Sequence, residues 1–426
     1  MLKKVGIKNF KSWKDTRDIE MAPIKKVGIE KLRIKNFKSW KDTRDIEMAP
    51  ITMFFGGNSS GKTSLLQFLL MLKQTGASKD YSGQVLKFNG EIDLGNFKDV
   101  VFGHDKKNAI EFEISGVNPR DTPWVFGNGL KAKLTEYRSN VVIKDLKIIY
   151  PDSHSKEKIK EQEDRIKKLF GKKFDKDLFF WRNILLSPFV SGIGHIGPLR
   201  EFPKRHYQWR NNHPTEVGSQ GEFAIEAIIA SNLKKGKLQD GVAKALKKMG
   251  LIYDFKVESL SGKNDEYYKV LVQKNEGSSH VLLPDVGFGV SQILPILTAL
   301  YHSKEGAILL LEQPEIHLHP KAQIELADVI IDAAKERKIQ VIIESHSEHF
   351  LTRIQTRIAD ETISKEDAKL YFCKNEDGYS ELEELMLTDT GNIENWPPNF
   401  FGNMLEESAN RVLSYLERKK SKKKKS

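Results

Sequence analysis

Two hydrophobic rhythms run along the chain, one with a period of two residues and one that wraps almost the whole surface of a helix. From Ile29, apolar and polar positions interleave as strands over EKLRIKNFKSW and TRDIEMA, and a short apolar strand, Ile51 to Phe55, ends in glycines. Lys62 to Gln74 (KTSLLQFLLMLKQ) then carries apolar residues around most of its circumference, the pattern of a buried helix. Residues 86–115 and 129–150 read as strand-rich, and 153–177 as a charged stretch, helical over 157–169, that forms a small protruding insertion. A helix over Glu222 to Lys234 and a strand pair, YDFKVESLS and YYKVLVQK, lead to the most apolar part of the chain: the helix ILPILTALY and the runs AILLL and VII. Such runs are strands buried on both faces, as in a parallel sheet. The pattern predicts an α/β fold with a mostly parallel core sheet, an antiparallel edge sheet and a small helical insertion.

An exact repeat interrupts this order. Ile7 to Ile24 reads IKNFKSWKDTRDIEMAPI and Ile34 to Ile51 reads the same, with KKVGI recurring at Lys3 to Ile7 and Lys25 to Ile29. A single repeated unit is no solenoid, which needs about three or more. Only the second copy runs into the glycine-rich segment, and one edge position in a sheet cannot hold two identical strands. Residues 1–24 are therefore read as a recent duplication or an artefact. The expected organisation is a first lobe over 25–150, the charged insertion over 151–190, a second lobe over 191–385 and a C-terminal segment with a basic tail over 386–426.

Composition narrows the classes. The chain has 426 residues, 39% of them hydrophobic and 30% charged, which suits a globular protein with a sizeable core. No run approaches the roughly 18 to 20 apolar residues of a bilayer span, so no membrane partner is expected. MLKKVGIKNFKSW lacks the apolar centre of a secretory signal, and a cytoplasmic location is the expectation. Cys373 is the single cysteine, which leaves no internal disulfide framework and no thiolate-clustered zinc site. The net charge of +11 sits partly in the run from Lys419 to Lys425. A solvated end is the ordinary reading of such a run, while the remaining basic surplus keeps an anionic partner such as DNA open.

Gly56-Gly57-Asn58-Ser59-Ser60-Gly61-Lys62-Thr63 has the spacing GxxxxGK[ST] between an apolar strand and a helix. Glycines let backbone N–H groups wrap phosphates, Lys62 reaches the β and γ phosphates, and the Thr63 hydroxyl can ligate Mg²⁺. Ser64 follows in the first helical turn, where the helix dipole favours an anion. Ala307 to Leu311 ends in Glu312, an acid at the C-terminal end of a buried strand and the candidate metal-facing carboxylate; Gln313 and Glu315 follow it. In DVGFGVSQ, Gly289 and Ser291 sit at a helix start, a second anion-binding geometry or simply a capped helix. His346 lies just past the apolar strand VIIE.

EKLRIKNFKSW, GGNSSGKT, DVGFGVSQ, LLLEQPEIHLHP and IIESHS, in that order, resemble the ABC-type ATPases of the SMC/RecF/OLD superfamily, above all bacterial OLD-like ATPases without a fused nuclease. HIGPLR and the late NWPPNFF extend the likeness, which covers roughly residues 25–401. The resemblance implies ATP and Mg²⁺ as ligands, with Thr63 and Glu312 at the metal. It implies that Ser291 is a signature serine acting across a dimer and that His346 is a switch histidine at the γ phosphate. Gln313 falls where the family usually has the glutamate that polarises water, and Glu315, two residues on, is the expected substitute. His319 falls at a position usually held by aspartate, and Gln84 is the one candidate for the Q-loop. LSGGQ and long coiled-coil heptads are missing, which disfavours an exporter or a true SMC protein. Asp377, Asp389 and Glu394 lack Toprim spacing, so the chain is not expected to be a nuclease.

The first functional expectation is a slow ATP-dependent switch subunit, dimerising around ATP and controlling a separate nuclease or toxin, as in the Septu-like or PARIS-like defence systems it resembles. The alternatives are a DNA-binding ATPase of recombination and repair, and a regulator that binds ATP and hardly hydrolyses it.

Overall fold

The computed structural model describes residues 28–79, 84–117, 128–138, 140–150, 154–170, 178, 180–260, 266–397 and 400. Residues 1–24, the lysine run and Pro398, Asn399 and Phe401 of NWPPNFF lie outside them. The second copy of the repeat supplies β1 (Gly28–Phe37), β2 (Trp40–Asp42) and β3 (Ile46–Glu47), with Ile29, Leu32, Ile34 and Phe37 buried on one face of β1. Next come β4 (Ile51–Gly56) and α1 (Lys62–Ala77). The stretch read as strand-rich over 86–115 instead holds the short α2 (Phe97–Val100) and one strand, β5 (Ile110–Val117). Asn96 and Asp99 form a capping box there, and local side-chain bonds of this kind compete with a ladder.

A hairpin of β6 (Gly129–Tyr137) and β7 (Asn140–Ile149) precedes the insertion helix α3 (Lys156–Phe170) and the short α4 (Ser187–Val190). The chain then runs through β8 (Ile193–Ile196), β9 (Tyr207–Gln208), α5 (Ala224–Leu233), α6 (Leu238–Lys248), β10 (Asp254–Ser259), β11 (Tyr267–Gln273) and β12 (Val281–Leu282). It continues with α7 (Phe288–His302), β13 (Ile308–Glu312), α8 (Pro320–Arg337), β14 (Gln340–Glu344), α9 (Glu348–Ala359), β15 (Ala368–Glu376) and β16 (Tyr379–Glu384).

The core sheet has the order β16-β15-β4-β14-β13-β8 and is parallel except for β16. Its central strands look apolar throughout because they feed two cores at once. Met53, Phe55, Leu309, Leu311, Val341 and Ile343 face a core built with α5 to α9, while Phe54, Ile308, Leu310 and Ile342 face a core shared with α1 and β1. Each such side chain contributes on the order of 1.5–3 kcal/mol by leaving water.

Antiparallel pairing falls into two sheets, β2-β1-β5-β6-β7 with β3 on β1, and β10-β11-β12 with β9 on β11. The repeat lies at one edge of this sheet: β2 and β3, both from its second copy, line the outer side of β1, whose other side pairs with β5. Buried Gln340 staples that sheet to the core: its Oε1 accepts from Ile29 N at 3.0 Å and its Nε2 donates to Ile29 O at 2.7 Å. Between α8 and α9, Asp328 accepts from Arg353 Nε at 2.9 Å and Arg357 Nε at 2.7 Å. Among the described residues, no helix is long and apolar enough to cross a membrane.

Candidate functional site

Parallel strands deliver their C-terminal ends to one rim, the usual place for a ligand in an open α/β sheet. β4 ends there in the phosphate-binding loop. Gly56 has φ 141°, and a Cβ would lie 2.1 Å from Cys373 O; Gly61 has φ 97°, and a Cβ would lie 2.3 Å from Ser380 Oγ. No side chain larger than hydrogen fits either place. Gly57, Asn58 and Ser59 are exposed at the mouth of the loop, and Ser60 is buried. The first turn of α1 carries no side-chain cap, as an anion site at a helix N-terminus requires, and the Ser64 N–H donates to Gly61 O at 3.0 Å. Lys62 Nζ donates to Gly56 O at 3.1 Å and Gly57 O at 2.8 Å, and burial lowers its pKa. Trp40, from the repeated motif, donates Nε1–H to Gly61 O at 3.1 Å and so ties the first sheet to the loop.

Glu312 and Glu344 end adjacent strands in register with one another. Thr63 Oγ1 donates to Glu344 Oε1 at 2.9 Å. Glu312 Oε1 is instead 2.8 Å from His195 Nε2, and His195 Nδ1 is 3.2 Å from Glu91 Oε1. Lys73 continues the chain, 2.8 Å from Glu91 and 2.6 Å from Glu216. An imidazole between two carboxylates is satisfied only when both nitrogens donate. Burial pulls the pKa of His195 down, and hydrogen bonds to Glu312 and Glu91 more than offset that, leaving it raised. Burial raises the pKa of Glu344, the Thr63 hydroxyl opposes this, and the neighbouring Glu312 adds to it.

Gln313 takes φ 44°, donates its N–H to Glu344 O at 2.8 Å and sets its amide beside the Glu344 carboxylate. Arg200 Nη2 braces this turn, donating to Glu312 O at 3.3 Å and Gln313 O at 3.1 Å, and burial pushes its pKa down to about 10. Glu315 Oε1 accepts the His346 N–H at 2.7 Å, and burial raises its pKa. The His346 ring lies against the Gly56 backbone, where burial and the charge of Lys62 lower its pKa.

Gly289 and Ser291 lie elsewhere in the fold, in the first turn of α7, where Ser291 Oγ donates to Phe288 O at 2.8 Å. Phe202 and Phe288 lie at that turn and are 73% and 41% exposed. Phe288 contacts Phe202 and His317, with ring centroids 5.8 and 4.8 Å apart. His319 caps α8, its Nδ1 accepting from Lys321 N at 3.4 Å. Gln84 is exposed, and its carbonyl accepts from Arg182.

The residues expected at the phosphates and the metal thus gather at one rim, with four more that motif reading did not select: Glu344, His195, Glu91 and Arg200. Glu344 carried the same signal as Glu312, an acid ending a buried parallel strand. Among the described residues no three His, Cys, Asp or Glu side chains form a cation cage. Thr63 with Glu312 and Glu344 beside it fits Mg²⁺, which takes one or two carboxylates and fills its shell with waters and phosphate oxygens. The buried Glu344 Oε2 and Ser60 Oγ have no hydrogen-bond partner in the protein, as a polar ligand would require.

A family described as "AAA domain, putative AbiEii toxin, Type IV TA system" matches residues 51–352, more than half of the chain. A second, described as a protein of unknown function, matches residues 363–410. No curated protein matches. Among solved structures, an SMC head bound to the C-winged helix domain of ScpA aligns at TM-score 0.51 and 15% identity, covering 84% of this chain and 98% of that one. SMC heads from Thermotoga maritima (TM-score 0.44, 10% identity, 84% and 100% covered) and Pyrococcus furiosus (0.46, 14%, 92% and 99%) align less well. The fold is that of an SMC-head-like P-loop ATPase domain.

Proposed function

The chain belongs to the family described as AAA domain, putative AbiEii toxin, Type IV TA system, and from that premise we propose that it is an ATP-driven switch subunit that dimerises around ATP and controls a separate effector. The observation that carries this reading is the rim itself, where Lys62, Thr63, Glu312, Glu315 and His346 converge on one glycine-built loop.

Lys62 exchanges the carbonyls of Gly56 and Gly57 for β and γ phosphate oxygens, and the uncapped first turn of α1 supplies N–H donors. Mg²⁺, held at Thr63 and Glu312, would neutralise charge on the phosphates. His346 stays neutral at pH 7 and presents its ring to the γ phosphate. Gln313 orients water through its carbonyl but takes no proton, so Glu315 serves as the carboxylate and turnover is slow.

Ser291 and the N-terminus of α7 face a second copy, whose phosphate loop they complete. Exposed Phe202 and Phe288, in contact with one another, support this, since apolar side chains clustered on a surface mark an interaction site. The effector would be a separate protein, although the family description applies the word toxin to the matched domain itself. A separate protein on an SMC head of the same fold supports it by analogy. The DNA-binding alternative is weaker, because Lys31, Arg33, Lys131 and Lys133 on the first antiparallel sheet are all paired with acids.

Nucleotide titration and light scattering with and without ATP test the reading. Lys62→Ala should lose nucleotide binding. Ser291→Arg should bind ATP but stay monomeric; if it dimerised and hydrolysed like wild type, the shared-site reading would fall.

A further inference from the structure

Motif reading puts the metal between Thr63 and Glu312. The hydrogen bonds divide these groups differently. Thr63 turns its hydroxyl to Glu344, and Glu312 turns Oε1 to His195. Glu344 is only 2% exposed, and its Oε2 has no partner in the protein. An ionised carboxylate in that position is costly unless a cation or donor reaches it.

We propose that Glu344 is a carboxylate of the Mg²⁺ site: Oε1 holds the Thr63 hydroxyl with its lone pairs open to the cation, and Oε2 meets the cation directly or through one of its waters. This rests on the ATP-site reading above and adds a residue to it. The register of β13 and β14 sets Glu344 beside Glu312, so the two acids share the rim. The pair matches the one or two carboxylates that Mg²⁺ takes when phosphates supply the remaining ligands. Glu312 then acts in a fixed pose, oriented through His195 by Glu91, as a metal-ligating group is by its outer partners.

The test is the affinity of the full chain for a non-hydrolysable ATP analogue, by calorimetry, in EDTA and in excess Mg²⁺, with Mn²⁺ binding followed by electron paramagnetic resonance. Glu344→Gln keeps an acceptor for Thr63 and removes only the charge. It should bind the analogue in EDTA at least as well as wild type. It should lose about tenfold or more of the gain that Mg²⁺ confers, and Mn²⁺ affinity should fall with it. A full Mg²⁺-dependent gain in Glu344→Gln overturns the proposal and leaves the ATP site standing. If that variant does not fold, Glu344→Asp is read instead; an intermediate gain supports the proposal and a wild-type gain overturns it. Wild type binding no nucleotide in either buffer, with Lys62→Ala indistinguishable from it, would remove the site altogether.

Discussion

Replacing Gln313 by Glu changes one amide to a carboxylate in a place the backbone holds firmly. The residue sits at φ 44°, its N–H is committed to Glu344 O at 2.8 Å, and its carbonyl accepts from Arg200 at 3.1 Å. The new side chain is isosteric, so the change is one of charge and proton affinity. It places a third acid beside Glu344 and Glu312. Two unit charges about 4 Å apart repel by about 4 kcal/mol at an effective dielectric of about 20, which corresponds to roughly three pKa units. Without Mg²⁺ the variant should therefore bind a proton at neutral pH and melt several degrees below wild type in EDTA, recovering in Mg²⁺ and nucleotide.

The same substitution adds a carboxylate at position 313, while Glu315 already serves as the carboxylate of the wild type. Base assistance is typically worth ~10² to 10⁴ in rate, or about 3–5 kcal/mol of barrier. Single-turnover phosphate release should therefore rise by much less than that in Gln313→Glu. Glu315→Gln should fall by about 10² or more, because Glu315, beside the His346 N–H, is the carboxylate the wild type uses. If Glu315→Gln kept the wild-type rate while Gln313→Glu rose many-fold, Glu315 would not be the base. The wild type would then be a long-lived ATP-bound dimer awaiting a trigger.

Two further predictions concern the frame. Asp328 is buried, which would raise its pKa, but Arg357 and Arg353 hold it down to about 2. Its pKa is thus below the unfolded value of ~3.9, and its stabilisation, about 2–3 kcal/mol, is present above that pH and lost as pH falls through about 2. Asp328→Asn should lower the unfolding free energy at pH 7 by at least that much, with little difference from wild type near pH 2; a variant as stable as wild type at pH 7 refutes it. Deleting residues 2–24 should leave nucleotide affinity and melting temperature unchanged, since Gly28–Phe37 already supplies β1; a drop in either would show that the first copy is structural.

Much of this site was legible because its chemistry is local in sequence. The phosphate loop announces itself in eight consecutive residues, and Glu312 ends a run so apolar that only a doubly buried strand accommodates it. The helix over Lys62 to Gln74 and the α3 insertion were legible for the same reason, since period and charge act within a few turns. Residues 86–109 misled because alternating apolar letters there are pinned by side-chain caps and positive-φ glycines, Gly95 and Gly103, whereas Ile110 to Ser115 do form a paired strand.

The remainder is set by strand register, which no local pattern encodes. His195, Glu91 and Glu344 are separated from Glu312 by tens to hundreds of positions, yet β8 and β14 flank β13 and bring two of them to its carboxylate end. Motif alignment ranks acids by their neighbours in sequence, which favoured Glu312, Gln313 and Glu315 and passed over the acid in IIESHS. The sheet ranks them by what they touch: Glu344 meets Thr63, Glu312 meets His195, and Glu315 meets the backbone of His346. Three carboxylates thus have three different partners around one loop. In the proposed function, that division is what would let one chain hold a cation and activate water with an amide at position 313.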